Sequence, residues 1–160
     1  MNAHAPATRR RQRGVVTLEY ALMLVFGLVP LLLLTYTGVM LMAVQQTLSM
    51  ASAEGARASL RMGDSAQRRT AACVAAQRSM QWLLSYSNQA PDCSAADAAP
   101  IEVSPPAACA GLAEAQCVSV SVSYDYQRHP FLPGTGQLYG WVVSGPIRST
   151  AVAQLDLGSN

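Results

Sequence analysis

The sequence predicts an α+β protein. A long N-terminal transmembrane helix continues into a small domain with a second helix and a short antiparallel sheet. Three observations carry this reading. Residues 15–44 are an almost wholly apolar run of thirty residues, and about twenty suffice to cross a bilayer. Residues 65–86 repeat apolar side chains at helical spacing. Residues 118–124 alternate valine with serine and end on a tyrosine, the pattern of a half-buried strand.

The first thirteen residues are polar and include Pro6, Arg9, Arg10, Arg11 and Arg13. Such a segment has too little apolar surface to fold alone. Arginines just before an apolar run hold the N-terminus in the cytoplasm and send the remainder to the far side. The expected organisation is a basic leader at 1–14, a membrane helix at 15–44, a water-exposed extension of that helix at 45–61, and an α+β domain at 62–160.

From Val15 to Leu60 the only interior breaker is Pro30. Gly27, Gly38 and Gly55 are tolerable in a membrane helix. A helix of that extent is roughly 70 Å long, so its second half must project into water. The residues agree: Gln45, Gln46, Ser49, Ser52, Glu54, Arg57 and Arg61 enter progressively, and Glu54 and Arg57 form an i,i+3 pair of opposite charge. Pro30 removes one helix hydrogen bond, which makes it either a tolerated kink or a melting point. Ala51-Ser52-Ala53 has the form of a signal-peptide cleavage site, but signal peptides carry apolar regions of only about 7–15 residues.

Gly63 ends the first helix, and Asp64 or Ser65 caps a second that runs to about Tyr86. Its core positions are Cys73, Ala76, Met80, Leu83 and Leu84. Met80 and Trp82 read as packing or surface coverage. Residues 87–116 contain Pro91, Pro100, Pro105 and Pro106 among Ala, Ser and Asp, and read as a loop. Val118, Val120 and Val122 face the core from the first strand. Pro130, Pro133, Gly134 and Gly136 make a wide turn, and Leu138–Val143 is a short strand or a membrane-facing segment. A last strand covers Ile147–Leu157, with Ile147, Ala151, Ala153, Leu155 and Leu157 on one face.

Composition narrows the function. Behind Gly14 stand seven arginines against nine carboxylates, so the body carries no basic face for nucleic acid. His129 is the only histidine beyond the apolar run, no G-x-S-x-G occurs, and Gly134-Thr135-Gly136 is too short for a phosphate cradle. No catalytic constellation, metal site or cofactor is expected. Cys73, Cys93, Cys109 and Cys117 lack C-x-x-C spacing, which favours two disulfides over zinc. A helix running to Ser87 leaves Cys73 about 21 Å behind its end, while six residues reach back only about 20 Å. Cys73–Cys93 therefore requires an earlier helix end. The pairing Cys73–Cys117 with Cys93–Cys109 is preferred, and the other pairings stay open.

Glu19 is the remaining puzzle, because a carboxylate inside an apolar run is costly. Near the start of the helix it favours the positive end of the dipole. Its setting says more: arginines, then Gly14, four residues, then Glu19-Tyr20 and a long apolar helix. This arrangement resembles the processing site of type IV prepilins and pseudopilins, and the Glu-Tyr pair is similar to the Flp/Tad subgroup. The stretch MASAEGARASLR (Met50–Arg61), the strand at 118–124 and the last strand resemble TadE-like pseudopilins. The resemblance implies a bacterial inner-membrane protein with a periplasmic domain. It implies a prepilin peptidase cutting between Gly14 and Val15, and the Glu19 carboxylate neutralising the new Val15 amine of a neighbouring subunit. The implied partners are other pilin or pseudopilin subunits and the Tad assembly platform. Ala51, Gly55 and Ser59 form a small-residue stripe suited either to close helix contact or to packing on the protein's own sheet. Two alternatives remain: an unprocessed signal-anchored scaffolding or adhesion protein, and a secreted hydrolase or binding protein released at Ala53.

Overall fold

Helix α1 covers Gln12–Met23 and helix α2 Val29–Ser59, joined by a five-residue π-helical turn, Leu24–Leu28. The computed structural model describes residues 12–61, 63–95, 98–138 and 145–155. The arginines at 9–11, residues 139–143 of the expected strand or membrane-facing segment, and Asp156 and Leu157 lie outside them. The chain divides into two units, Met1–Val39 and Met40–Asn160.

In the first unit the apolar residues point outward: Val15, Leu18, Met23, Phe26, Leu31 and Leu34 are all exposed. Val15–Ser59 is long and apolar enough to cross a membrane. The π turn has a local cause. Pro30 has no N–H to give, and its ring crowds the carbonyl of residue 26. Widening the preceding turn accommodates both, and Val29 donates instead to Leu24, five residues back. Thr35 and Thr37 donate their hydroxyls to the carbonyls of Leu31 and Leu33, each at 2.8 Å. Their polarity is thus spent inside the helix.

The second unit is built on the C-terminal half of α2. Val44, Leu48, Ala51, Ser52, Ala56 and Ser59 are buried, at spacings that place them along one helix face. Helix α3, Ser65–Ser79, packs beside it. Its cap is a capping box: Gln67 N–H donates to Asp64 at 2.7 Å, and Asp64 N–H donates to the Gln67 side chain at 3.3 Å. The expected single helix to Tyr86 is in fact two. Met80 leaves helical geometry (φ −108°, ψ 19°), and α4, Gln81–Ser87, follows it and ends on Asn88 in the left-handed conformation. Cys73, Ala76, Met80, Leu83 and Leu84 are all buried, as their spacing predicts.

The sheet has four strands: β1 (Ile101–Val103), β2 (Ala107–Cys109), β3 (Leu112–Tyr124) and β4 (Ile147–Leu155). All three other strands pair antiparallel with β3, and β4 follows it from Gln116 to Tyr124. The expected loop at 87–116 therefore contains two short strands and the start of a third. Three-residue strands flanked by prolines show no alternation long enough to read. Val118, Val120 and Val122 face the core, and Ala153 and Leu155 join them from β4. A short helix, α5 (Thr135–Leu138), lies in the connection before β4.

The disulfides are Cys73–Cys93 and Cys109–Cys117, which corrects the preferred pairing. The break at Met80 removes the reach problem, and the Cys73 and Cys93 Cα atoms come within 5.5 Å. Extension of β3 back to Leu112 makes a β2–β3 hairpin that brings Cys109 and Cys117 to 5.1 Å.

Candidate functional site

The candidate sites among the described residues are surfaces, taken from the N-terminus outward. The Gly14–Val15 bond lies within the first turn of α1. Val15 and Tyr20 are about two-thirds exposed, at 64% and 65%. Glu19 is exposed as well, and among the described residues it has no hydrogen-bond or ion-pair partner. Helix α1 places Glu19 four residues, about 6 Å, beyond Val15. A carboxylate and an apolar surface are thus presented outward together.

The small-residue stripe resolves differently. A Cβ on Gly55 would lie 2.8 Å from Val120 Cγ1, 3.1 Å from the Ala72 carbonyl and 3.3 Å from Ala76 Cβ. Ala51 and Ser59 are fully buried, and the Ser52 hydroxyl meets that of Ser149 at 3.1 Å. The stripe packs on the protein's own sheet and on α3. The outward side of the same helix segment carries Met50, exposed at 66%, and the Glu54–Arg57 ion pair at 2.8 Å.

A third feature lies beside Thr47 of α2, within the second unit. Trp82 and Tyr86, one turn apart on α4, share a face and flank Phe131 at ring-centroid distances of 6.2 and 5.0 Å. Tyr124 stacks on Phe131 at 5.8 Å, and Tyr126 tilts against it at the same distance. Tyr86 donates to the Pro130 carbonyl at 2.8 Å, Tyr124 to the His129 carbonyl at 2.6 Å, and the Trp82 indole N–H to the Thr47 hydroxyl at 3.2 Å. Tyr124 and Tyr126 are buried, while Trp82 and Tyr86 remain exposed. Burial, with Tyr86, Tyr126 and Asp125 nearby, pushes the Tyr124 phenol well above its ordinary range. The sequence reads Trp82 as packing or surface coverage, and it packs on Phe131, but the cluster as a whole does not show in the sequence. Its one legible trace was an i,i+4 aromatic pair on a helix.

Two carboxylates of the second unit, Asp125 and Asp92, have structural work. Asp125 accepts from the backbone N–H groups of Gln127 and Arg128 and pairs with the Arg128 side chain at 3.3 Å. Asp92 accepts from the Ser94 hydroxyl and N–H, which hold its carboxyl below the usual range. Among the described residues no group of His, Cys, Asp and Glu is gathered as a metal site.

No protein-family model matches the chain, and neither a curated protein nor a solved structure does.

Proposed function

We propose that this chain is a membrane-anchored minor pseudopilin of a Tad-type pilus assembly or secretion system, with a structural role. The carrying observation is Glu19, a single carboxylate exposed on an apolar helix five residues beyond Gly14, with no partner among the described residues. In this reading a prepilin peptidase removes residues 1–14 on the cytoplasmic side. The bond it cuts begins inside a helical turn, and Gly14 lowers the cost of unwinding that turn into an extended strand. The product carries a cationic amine on Val15 among apolar side chains. The Glu19 carboxylate of a neighbouring subunit pairs with it, because buried charges are acceptable only when compensated. The disulfide-held second unit is the periplasmic part, in keeping with an oxidising compartment.

The test separates processing from assembly. Intact-mass analysis of protein extracted from native membranes is expected to show Val15 as the first residue. Gly14→Leu is expected to block cleavage and assembly together. Glu19→Gln is expected to insert and be cleaved, yet to lose crosslinking to other pilin-like subunits. Leaving one charge of a buried pair uncompensated costs about 3–5 kcal/mol, several hundredfold or more in an association constant. Retention of Met1 or Asn2 in a host with an active peptidase overturns the processed reading and leaves the unprocessed signal-anchored scaffold. Normal crosslinking by cleaved Glu19→Gln removes Glu19 from the interface and returns it to the headgroup region.

A further inference from the structure

We propose that the second unit binds a saccharide chain in the groove between α3 and α4, with sugar rings stacking on the aromatic face beside it. The inference concerns the second unit alone. It goes beyond the pseudopilin reading and does not rest on it. The groove measures about 510 Å³ and is lined from the end of α3, from α4 and from the turn that follows. Four amide side chains dominate it, those of Gln77, Gln81, Asn88 and Gln89. Each amide offers both donors and an acceptor. Arg78 adds one charge, and no carboxylate is among the lining residues. Buried Leu84 forms the floor. A lining that both donates and accepts suits hydroxyl and acetamido groups, which do the same.

The aromatic face shares α4 with this groove. Gln81 and Ser85 line the groove. The residues that follow them, Trp82 and Tyr86, lie about 100° further round the helix. Both rings are held from behind. The Trp82 indole N–H is bonded to Thr47, the Tyr86 phenol to the Pro130 carbonyl, and Phe131 lies against both rings. They nevertheless remain about half open, at 43% and 49%. With their polar atoms engaged inside the protein, they present ring carbon outward. Rings already fixed lose little freedom on binding. A pyranose offers the matching surface. One side of it is a face of slightly positive C–H bonds, which suits the negative face of an aromatic ring, and its rim of hydroxyls reaches the amides. Trp82 and Tyr86 are one turn apart, about 6 Å along the helix, so successive sugar units of a chain can meet them in turn. A peptide is less well served. Its recurring modes use apolar side-chain pockets, a strand edge or a cluster of charges, and the lining of this groove supplies none of them.

The full chain in phosphocholine micelles, which carry no sugar headgroup, is titrated with the β-1,4-linked tetramer of N-acetylglucosamine. Saturation-transfer NMR is expected to mark the sugar ring protons, with half-saturation at about 1 mM or below. Gln81→Ala removes an amide from the groove, and Trp82→Leu keeps apolar bulk against Phe131 while removing the indole ring. Each is expected to weaken binding about threefold to tenfold. Val152→Ala, at an exposed position on β4, is expected to leave binding unchanged. If Trp82→Leu does not fold, Gln81→Ala, a change at an exposed position, carries the test. Co-sedimentation with purified peptidoglycan separates two sources of the same chemistry. Pelleting that Gln81→Ala weakens assigns the wall polymer, and tetramer binding without pelleting assigns a free oligosaccharide; both support the proposal. Absence of both signals overturns it. Binding that Gln81→Ala and Trp82→Leu leave unchanged overturns it too, as does saturation transfer to an extended peptide and not to the tetramer.

Discussion

Gly55 shows what a single hydrogen can decide. It sits where α2 crosses both β3 and α3, and even a methyl there would meet Val120 at 2.8 Å and a backbone carbonyl at 3.1 Å. Gly55→Leu is expected to destabilise the second unit by about 3 kcal/mol or more, since inserted bulk has nowhere to go. A Cβ at Gly27 or Gly38 meets nothing within 4 Å, and alanine at either is expected to leave the melting temperature of the second unit in place. Thermal unfolding in detergent micelles checks all three. Tyr124 offers a titration test. Its folded-state pKa lies above the ordinary 10.0, so its contribution to stability is complete below about pH 10 and is lost as pH rises toward the raised value. Tyr124→Phe is expected to flatten the alkaline fall in melting temperature and to remove a phenol that titrates above the ordinary range from the ultraviolet absorbance curve. The phenylalanine variant should be less stable at neutral pH, because the His129 carbonyl loses its donor.

At the scale of elements, the two disulfides make separable predictions. The Cys73–Cys93 bridge closes a separation of 20 residues and Cys109–Cys117 one of 8. Chain entropy then gives about 3 kcal/mol for the longer closure and about 2.5 for the shorter. Paired serine substitutions, compared by urea unfolding, are expected to rank in that order, and labelling of the denatured native protein should find no free thiol. The same elements show what the sequence made legible. Long signals survived: the apolar helix, the Asp64 cap, the core positions of α3 and α4, and the valines of β3 all stand where periodicity puts them. The misses have local causes. Nothing in the residues around Met80 marks a breaker, because methionine is a good helix former, and the helix yields there to packing. Strands β1 and β2 are three residues each, shorter than any alternation that can be counted, and missing them misassigned the cysteine pairs. Glu19 was legible by its chemistry alone, since a charge in an apolar run stands out wherever the fold puts it. The aromatic face was not, because Phe131 and Trp82 are 49 residues apart in sequence and only the tertiary fold unites them.

For the whole molecule, the C-terminal strand reaches back to the first helix of the second unit. Ser149 of β4 meets Ser52 of α2, separated by 97 residues, and β4 pairs with β3 along nine residues. The inner face of α2 is therefore made early and covered late. During synthesis Val44, Leu48, Ala51 and Ser52, all buried in the folded unit, are made long before Ser149 of β4. The polar contact at Ser52, on the inner stripe of α2, forms only once β4 has been made. Truncation before Ile147 is expected to leave that stripe open, and pulse-chase with limited proteolysis should show the truncated chain degraded while the full-length chain becomes resistant. The Ser52–Ser149 hydroxyl pair therefore exists only in a chain that includes β4, and a chain that stops short of it lacks that contact.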